Sequence, residues 1–204
     1  MITIVNYGLG NIHAFTNVYK KLNIPVTIAT NKEELINATK IILPGVGAFD
    51  YAMTKLQESG MRETLDNLVL GKKLPILGIC VGMQIMANSS EEGKLDGLKW
   101  VDGKVKKFDA SLIKYKTGLP HMGWNTIDPT RDTKLLTNLK SGSRFYFLHT
   151  YYFHCNNKEN EIAETEYGLH FTSALNFDNI YGVQFHPEKS HDNGVQLLKN
   201  FANL

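Results

Sequence analysis

One cysteine, one histidine and one glutamate carry the most specific chemistry this sequence can offer. Cys80 stands in Leu77-Gly78-Ile79-Cys80-Val81-Gly82-Met83-Gln84, flanked by a glycine two residues away on each side. Apolar residues 74–79, with Pro75 among them, are expected to form a buried strand, and residues 81–87 have helical composition. A nucleophile between strand and helix, with glycines making room for a strained turn, is the pattern of a nucleophile elbow, here with cysteine in the place of serine. A helix N-terminus favours the thiolate, and the Val81 N–H would point to where an oxyanion forms. Most free cysteines are buried and inert. Cys155, behind an aromatic strand, is expected to be one of these.

Near the other end of the chain runs Gly182-Val183-Gln184-Phe185-His186-Pro187-Glu188-Lys189. Pro187 disfavours helix at His186 and keeps it extended. Residues i and i+2 of an extended chain share a side. The Glu188 carboxylate can then hold one imidazole nitrogen while the other faces a thiol, as the base and orienter of a triad do. His13, His121, His154, His170 and His191 lack such a setting and are expected to be ordinary core or surface histidines. A third segment, Leu43-Pro44-Gly45-Val46-Gly47-Ala48-Phe49, also follows a strand and opens a helix. The N–H of Val46 or Gly47 is a candidate second oxyanion donor.

These segments need a frame that brings them together. Strands at 2–5, 25–29, 40–43 and 74–79 alternate with helices at 12–22, 32–37, 49–59 and 61–71, which predicts right-handed crossovers and a parallel sheet. Both turns then lie at the carboxyl ends of strands, where doubly wound sheets bind ligands. Gly8-Leu9-Gly10 suggests a dinucleotide loop, but His13 stands where the third glycine belongs. Residues 89–93 are a polar loop, and the acidic pair Glu91 and Glu92 lies close to Cys80 in sequence. From Gly97 onward strands dominate, at 100–108, 124–127, 144–153, 161–167 and 170–176, before a last helix at 193–203. The expected fold is α/β: a doubly wound, mostly parallel central sheet flanked by helices, with antiparallel strands added in the C-terminal half. No linker composition divides residues 1–204, so one domain is expected.

The formal net charge is +2, and the basic cluster Lys104-Val105-Lys106-Lys107 alternates with an apolar position like the wet face of a strand. Nothing asks for nucleic acid or a membrane surface. No apolar run is long enough to span a bilayer. Two cysteines make no disulfide framework, the strand-like start argues against a signal peptide, and a reducing cytoplasm suits a catalytic thiol. No metal-ligand spacing appears, and no cofactor is implied.

The Pro-Gly-Val-Gly turn, Gly-Ile-Cys-Val-Gly-Met-Gln and Phe-His-Pro-Glu together resemble the class I, triad-type glutamine amidotransferases. Asn6-Tyr7-Gly8-Leu9-Gly10-Asn11, Pro120-His121-Met122-Gly123-Trp124-Asn125 and His186-Pro187-Glu188-Lys189-Ser190 extend the resemblance to the branch that serves imidazole glycerol phosphate synthase as glutaminase. The resemblance implies that Cys80 is the nucleophile, His186 the general base and acid, and Glu188 the orienter. It further implies that Gln84, Glu92, Thr150 and Tyr151 hold glutamine, with Gly47 near the substrate. Asn11, Trp124 and Lys189 would face a cyclase partner and its ammonia entrance. Val81 replaces a commoner leucine, and residues 97–103 depart from the family's usual apolar run. Only sixteen residues follow Glu188, which leaves no room for an ammonia-consuming domain and predicts a separate acceptor enzyme. The alternatives are an acceptor such as a sugar-aminating ligase of surface polysaccharide synthesis, a cysteine peptidase or esterase on the same scaffold, and a non-catalytic flavodoxin-like binding module.

Overall fold

The computed structural model describes residues 1–114 and 118–204. In chain order the first half runs β1 (Ile2–Val5), α1 (Ile12–Lys21), β2 (Val26–Ala29), α2 (Lys32–Leu35), β3 (Lys40–Gly45), α3 (Phe49–Glu58), α4 (Arg62–Asp66), β4 (Ile76–Cys80) and α5 (Val81–Gln84). β1 and β4 are buried along their whole length. That explains their near-continuous apolar runs, interrupted in β1 by the buried Thr3, because a parallel strand is covered on both faces. α1 buries Ile12, Phe15, Thr16 and Tyr19, the spacing of one helical face, and the Asn11 side chain caps its start by accepting from the Ala14 N–H.

The second half runs β5 (Ser89–Ser90), β6 (Gly103–Lys107), β7 (His121–Pro129), β8 (Ser143–His149), β9 (Tyr151–Cys155), β10 (Glu161–Glu166), β11 (His170–Phe177), β12 (Ile180–Val183) and α6 (His191–Ala202). A nine-stranded sheet has the order β2-β1-β3-β4-β12-β11-β10-β7-β8. Pairing is parallel from β2 to β12 and antiparallel from β12 to β8. The expected α/β architecture with an antiparallel extension is therefore present. β12, late in the chain, pairs in parallel with β4 and places the histidine segment next to the cysteine elbow.

Several boundaries differ from the sequence reading. The run expected at 144–153 is two strands in two sheets: β8 closes the large sheet, while β9 pairs with β6 in a second sheet of order β5-β6-β9. Aromatic residues run on both sides of Thr150, at 145–147 and 151–153, and hide the corner. The strand expected from Trp100 begins at Gly103, because the Trp100 indole turns aside to donate to Asp66 Oδ1 at 2.7 Å. Ser89–Ser90, read as loop, is a short strand parallel to β6. α5 stops at Gln84 and continues to Ala87 only as hydrogen-bonded turns, so the macrodipole argument for the thiolate rests on very little helix.

Candidate active site

At the end of β4 the backbone of Cys80 adopts φ 54°, ψ −114°. A non-glycine residue there stores about 1–3 kcal/mol of strain and must be held in place by its surroundings. Three glycines provide the holding through contacts that no side chain would permit. A Cβ on Gly82 would lie 1.9 Å from the Leu43 carbonyl oxygen. One on Gly45 would lie 2.4 Å from the Gly82 nitrogen, and one on Gly78 would lie 2.7 Å from the Gly82 oxygen. The elbow and the end of β3 are thus in backbone contact. This couples Cys80 to the segment that continues through Val46 and Gly47, where Gly47 takes φ +88°.

His186 arrives on the chain leaving β12. The Gln184 N–H donates to the Ser173 carbonyl and the His186 N–H to the Tyr146 carbonyl, each at 2.9 Å. Ser190 locks the turn: its hydroxyl donates to the His186 carbonyl at 2.6 Å and accepts from the Tyr146 N–H at 3.0 Å. His186 is extended (φ −102°, ψ 93°) and Pro187 opens a 3-10 turn. The imidazole and the Glu188 carboxylate meet as the i, i+2 spacing requires, with Nδ1–Oε1 at 2.9 Å and side chains 4% and 2% exposed. Cys80 is the other side-chain partner of the imidazole. Burial works against the imidazolium, but hydrogen bonds and charge from Cys80 and Glu188 outweigh it and raise His186 to about 10. The second carboxylate oxygen of Glu188 is buried without a hydrogen bond. A carboxylate so poorly served needs a cation beside it, and the protonated imidazole is that cation.

Cys80, Val81, Gln84, Glu92, Thr150, Tyr151, His186, Val46 and Gly47 all line one pocket of about 260 Å³. Among the described residues that line it, Glu92 is the only carboxylate and Lys189 the only lysine or arginine side chain. Glu92 also caps α3, its Oε2 accepting from the Phe49 N–H at 2.8 Å. Asp50 in turn accepts from the N–H groups of Lys94 and Leu95 at 2.9 and 3.1 Å, so the acidic loop is anchored rather than merely solvated. Gln84 spends both amide hydrogens internally, on the Tyr151 carbonyl at 2.8 Å and on Gln184 Oε1 at 3.0 Å. Cys155 is buried far along β9, and burial pushes its thiol up to about 12. Among the described residues no group of three His, Cys, Asp or Glu side chains is placed to hold a metal ion.

Four residues of the site escape the sequence reading. The Leu148 carbonyl lies 3.9 Å from Cys80 Sγ, and the Gln184 amide nitrogen 3.8 Å. His149 and Pro120 line the pocket. Gln184 precedes Phe-His-Pro-Glu by one residue and was recoverable from the same i, i+2 logic, since it shares a side with His186. His149 and Leu148 sit at the hidden corner between β8 and β9. Val46, Met122, Trp124 and Leu148 are exposed apolar side chains, and Val46 and Leu148 line the pocket. Met122 pairs with Leu148 and Trp124 with Tyr146 across β7 and β8. Lys189 Nζ lies 5.6 Å from the centre of the Tyr146 ring, and Trp124 stacks on His191 at 5.1 Å. Asn11 is exposed and follows Gly10, whose Cα packs on Pro44. An apolar patch of this kind beside a pocket marks an interaction face.

The sequence model of the family described as "Glutamine amidotransferase class-I" matches residues 3–204. A protein of Bdellovibrio bacteriovorus named imidazole glycerol phosphate synthase subunit HisH is 56% identical over 204 residues, covering 100% of both chains. One of Methanococcus maripaludis, named imidazole glycerol phosphate synthase subunit HisH 2, is 49% identical over 201 residues and 98% of each chain. A solved structure titled as that of a glutamine amidotransferase superposes with TM-score 0.76 at 16% identity, over 100% of this chain and 99% of the other. PurLQS from Thermotoga maritima gives TM-score 0.73 at 14% identity, over 99% and 97%.

Proposed function

The chain belongs to the class I glutamine amidotransferase family, and from that premise we infer that it is the glutaminase subunit of an imidazole glycerol phosphate synthase. It hydrolyses glutamine to glutamate and passes ammonia to a cyclase subunit, which makes imidazole glycerol phosphate and AICAR in histidine biosynthesis. The chemistry is carried by one observation: the imidazole of His186, held by Glu188, has Cys80 as its second partner inside a pocket suited to one amino acid. The pathway is carried by full-length identity to relatives bearing that name.

In the proposed mechanism the Cys80 thiolate attacks the carboxamide carbon of glutamine. The oxyanion is held by the Val81 N–H and by an N–H of Val46 or Gly47. The imidazolium of His186 gives its proton to the nitrogen as the C–N bond breaks and ammonia leaves. The now neutral imidazole takes a proton from water, which attacks the thioester, expels the thiolate and yields glutamate. The raised His186 supports this order, because the acid must be charged before the first step and neutral before the second. Glu92 offers the carboxylate for the substrate's α-ammonium, and Gln84, Thr150 and Tyr151 complete the wall. Asn11, Trp124 and Lys189 face the cyclase, joined by Met122 and Leu148. Residues 1–204 act as one domain, supported by the pairing of β12 on β4. Two free thiols fit a reducing cytoplasm.

The test is glutamate release by the purified chain alone, and then with the cyclase and its ribonucleotide substrate, beside a Cys80→Ala control. Strong stimulation that vanishes in the control is expected. Activity that depends on Cys80 but ignores the cyclase would refute the pathway, and activity that survives Cys80→Ala would refute the chemistry.

A further inference from the structure

Two buried histidines beside the site have no part in the chemistry above. His121 Nδ1 lies 3.0 Å from His149 Nε2. His149 Nδ1 lies 2.9 Å from the Tyr151 carbonyl, and the Asn125 amide nitrogen lies 3.2 Å from His121 Nε2. Burial lowers His121 to about 4 and drives His149 well below its ordinary value, so both rings are neutral.

Fixed carbonyls then dictate every orientation in the chain. A carbonyl only accepts, so His149 Nδ1 carries the proton and its Nε2 accepts from His121. The lone pair of His121 Nε2 faces the Asn125 amide nitrogen, which also donates to the Glu166 carbonyl at 2.9 Å and therefore cannot be flipped. On the far side, the Tyr151 carbonyl accepts a second bond from Gln84 Nε2. The other hydrogen of that nitrogen requires an oxygen from Gln184, which turns the Gln184 nitrogen toward Cys80 Sγ. The chain of polar contacts thus runs unbroken from β7 to the sulfur, with no freedom of direction.

We propose that His149, paired with His121, is a positioning residue for the nucleophile: by fixing the Tyr151 carbonyl it holds Gln84 and, through it, keeps the amide N–H of Gln184 on Cys80 Sγ. This rests on Cys80 being the nucleophile. A donor on the sulfur favours the thiolate, as any hydrogen bond to a charged form does. Without His149, the Tyr151 peptide at the corner between β8 and β9 loses one of its two side-chain anchors, and the Gln84 amide can swing away.

The experiment measures the rate of Cys80 alkylation by iodoacetamide across pH, in the full chain without substrate or partner. His149→Phe removes both hydrogen bonds and keeps a ring among Phe108, Phe147 and Phe171. Loss of one donor to the sulfur predicts alkylation slower by about fivefold at neutral pH and a profile displaced to higher pH. His149→Gln, which restores a donor and an acceptor, should recover at least half the wild-type rate. Gln184→Leu alone should slow alkylation as much as His149→Phe, and the two together no more than either. Wild-type rates in His149→Phe, no recovery in His149→Gln, or effects that multiply in the double variant would overturn the proposal. If His149→Phe does not fold, an unchanged rate in Gln184→Leu overturns it equally. Wild-type labelling that persists in Cys80→Ala would instead overturn the assignment of the nucleophile, a distinguishable failure.

Discussion

Gly82→Ala probes the contact on which the whole site is built. The added methyl would sit 1.9 Å from the Leu43 oxygen, 2.9 Å from its carbonyl carbon and 3.1 Å from the Pro44 carbonyl carbon. All three atoms are backbone of β3 at Leu43 and Pro44, which are buried and paired with β4, so no flexible group can yield. Reaching even a tight 3.0 Å contact requires the elbow and β3 to separate by about 1.1 Å. Cys80 lies two residues before this contact on one side, and Val46 follows shortly after it on the other. The separation therefore falls directly between the proposed nucleophile and the proposed oxyanion donors. Misplacement of reacting groups by about 1 Å costs on the order of 10²-fold in rate. We expect kcat/KM for glutamine hydrolysis, measured by glutamate release with the cyclase and its ribonucleotide present, to fall by about 100-fold. Gly71→Ala serves as the control, since a Cβ there meets nothing within 4 Å and the backbone is not left-handed. A folded Gly82→Ala protein within threefold of wild type would refute the view that this backbone contact sets the catalytic geometry.

Two further outcomes follow from the charges in the site. Glu188→Gln keeps the shape of the proposed orienter but cannot balance an imidazolium. With a hydrogen bond to a charged group worth about 1.5–3 kcal/mol, kcat/KM should fall by roughly 10- to 100-fold while the folded state survives, and a loss below threefold would show that Glu188 does not control His186. Acid stability follows from the buried histidine pair: His121 has an ordinary value of 6.5 and a folded value of about 4. The unfolded chain binds the extra proton in that window, so stability is full above about 6.5 and declines as pH falls toward 4. Between pH 7 and pH 5 His121 alone should cost about 2 kcal/mol, with His149 acting in the same direction, read as a falling urea midpoint. His186, raised to about 10, has the opposite sign: its stabilisation is complete below about 6.5 and is lost as pH climbs toward 10. A midpoint that is flat or rises from pH 7 to pH 5 would exclude a neutral, buried pair.

What the sequence disclosed, and what it withheld, divides along a physical line. The elbow was legible because its determinants are local: a buried apolar run, a cysteine and two glycines within five residues fix both the backbone strain and its relief. The pairing of His186 with Glu188 was legible for the same reason, as i, i+2 neighbours in a chain kept extended by Pro187. Alternation of strands and helices was enough for the parallel half, whose crossovers have one favoured hand. The corner at Thr150 was not legible. Residues 143–155 are rich in aromatics on both sides of Thr150 and read as one continuous strand, and only pairing with β7 on one stretch and β6 on the next reveals the change of sheet.

That corner is also where the sequence failed to find His149 and Leu148, and the two omissions have one cause. A side chain or carbonyl that reaches the site by a change of sheet has no periodic signature, because its direction is set by partners far along the chain. His149 acquires its meaning from His121, which is 28 residues away, and Gln84 acquires its meaning from Gln184, which is 100 residues away. The chemistry of this site is thus written locally, in motifs a reader can quote. The orientation of the groups around it is written in contacts between sheets, where each amide and imidazole takes the one direction that a buried carbonyl leaves open.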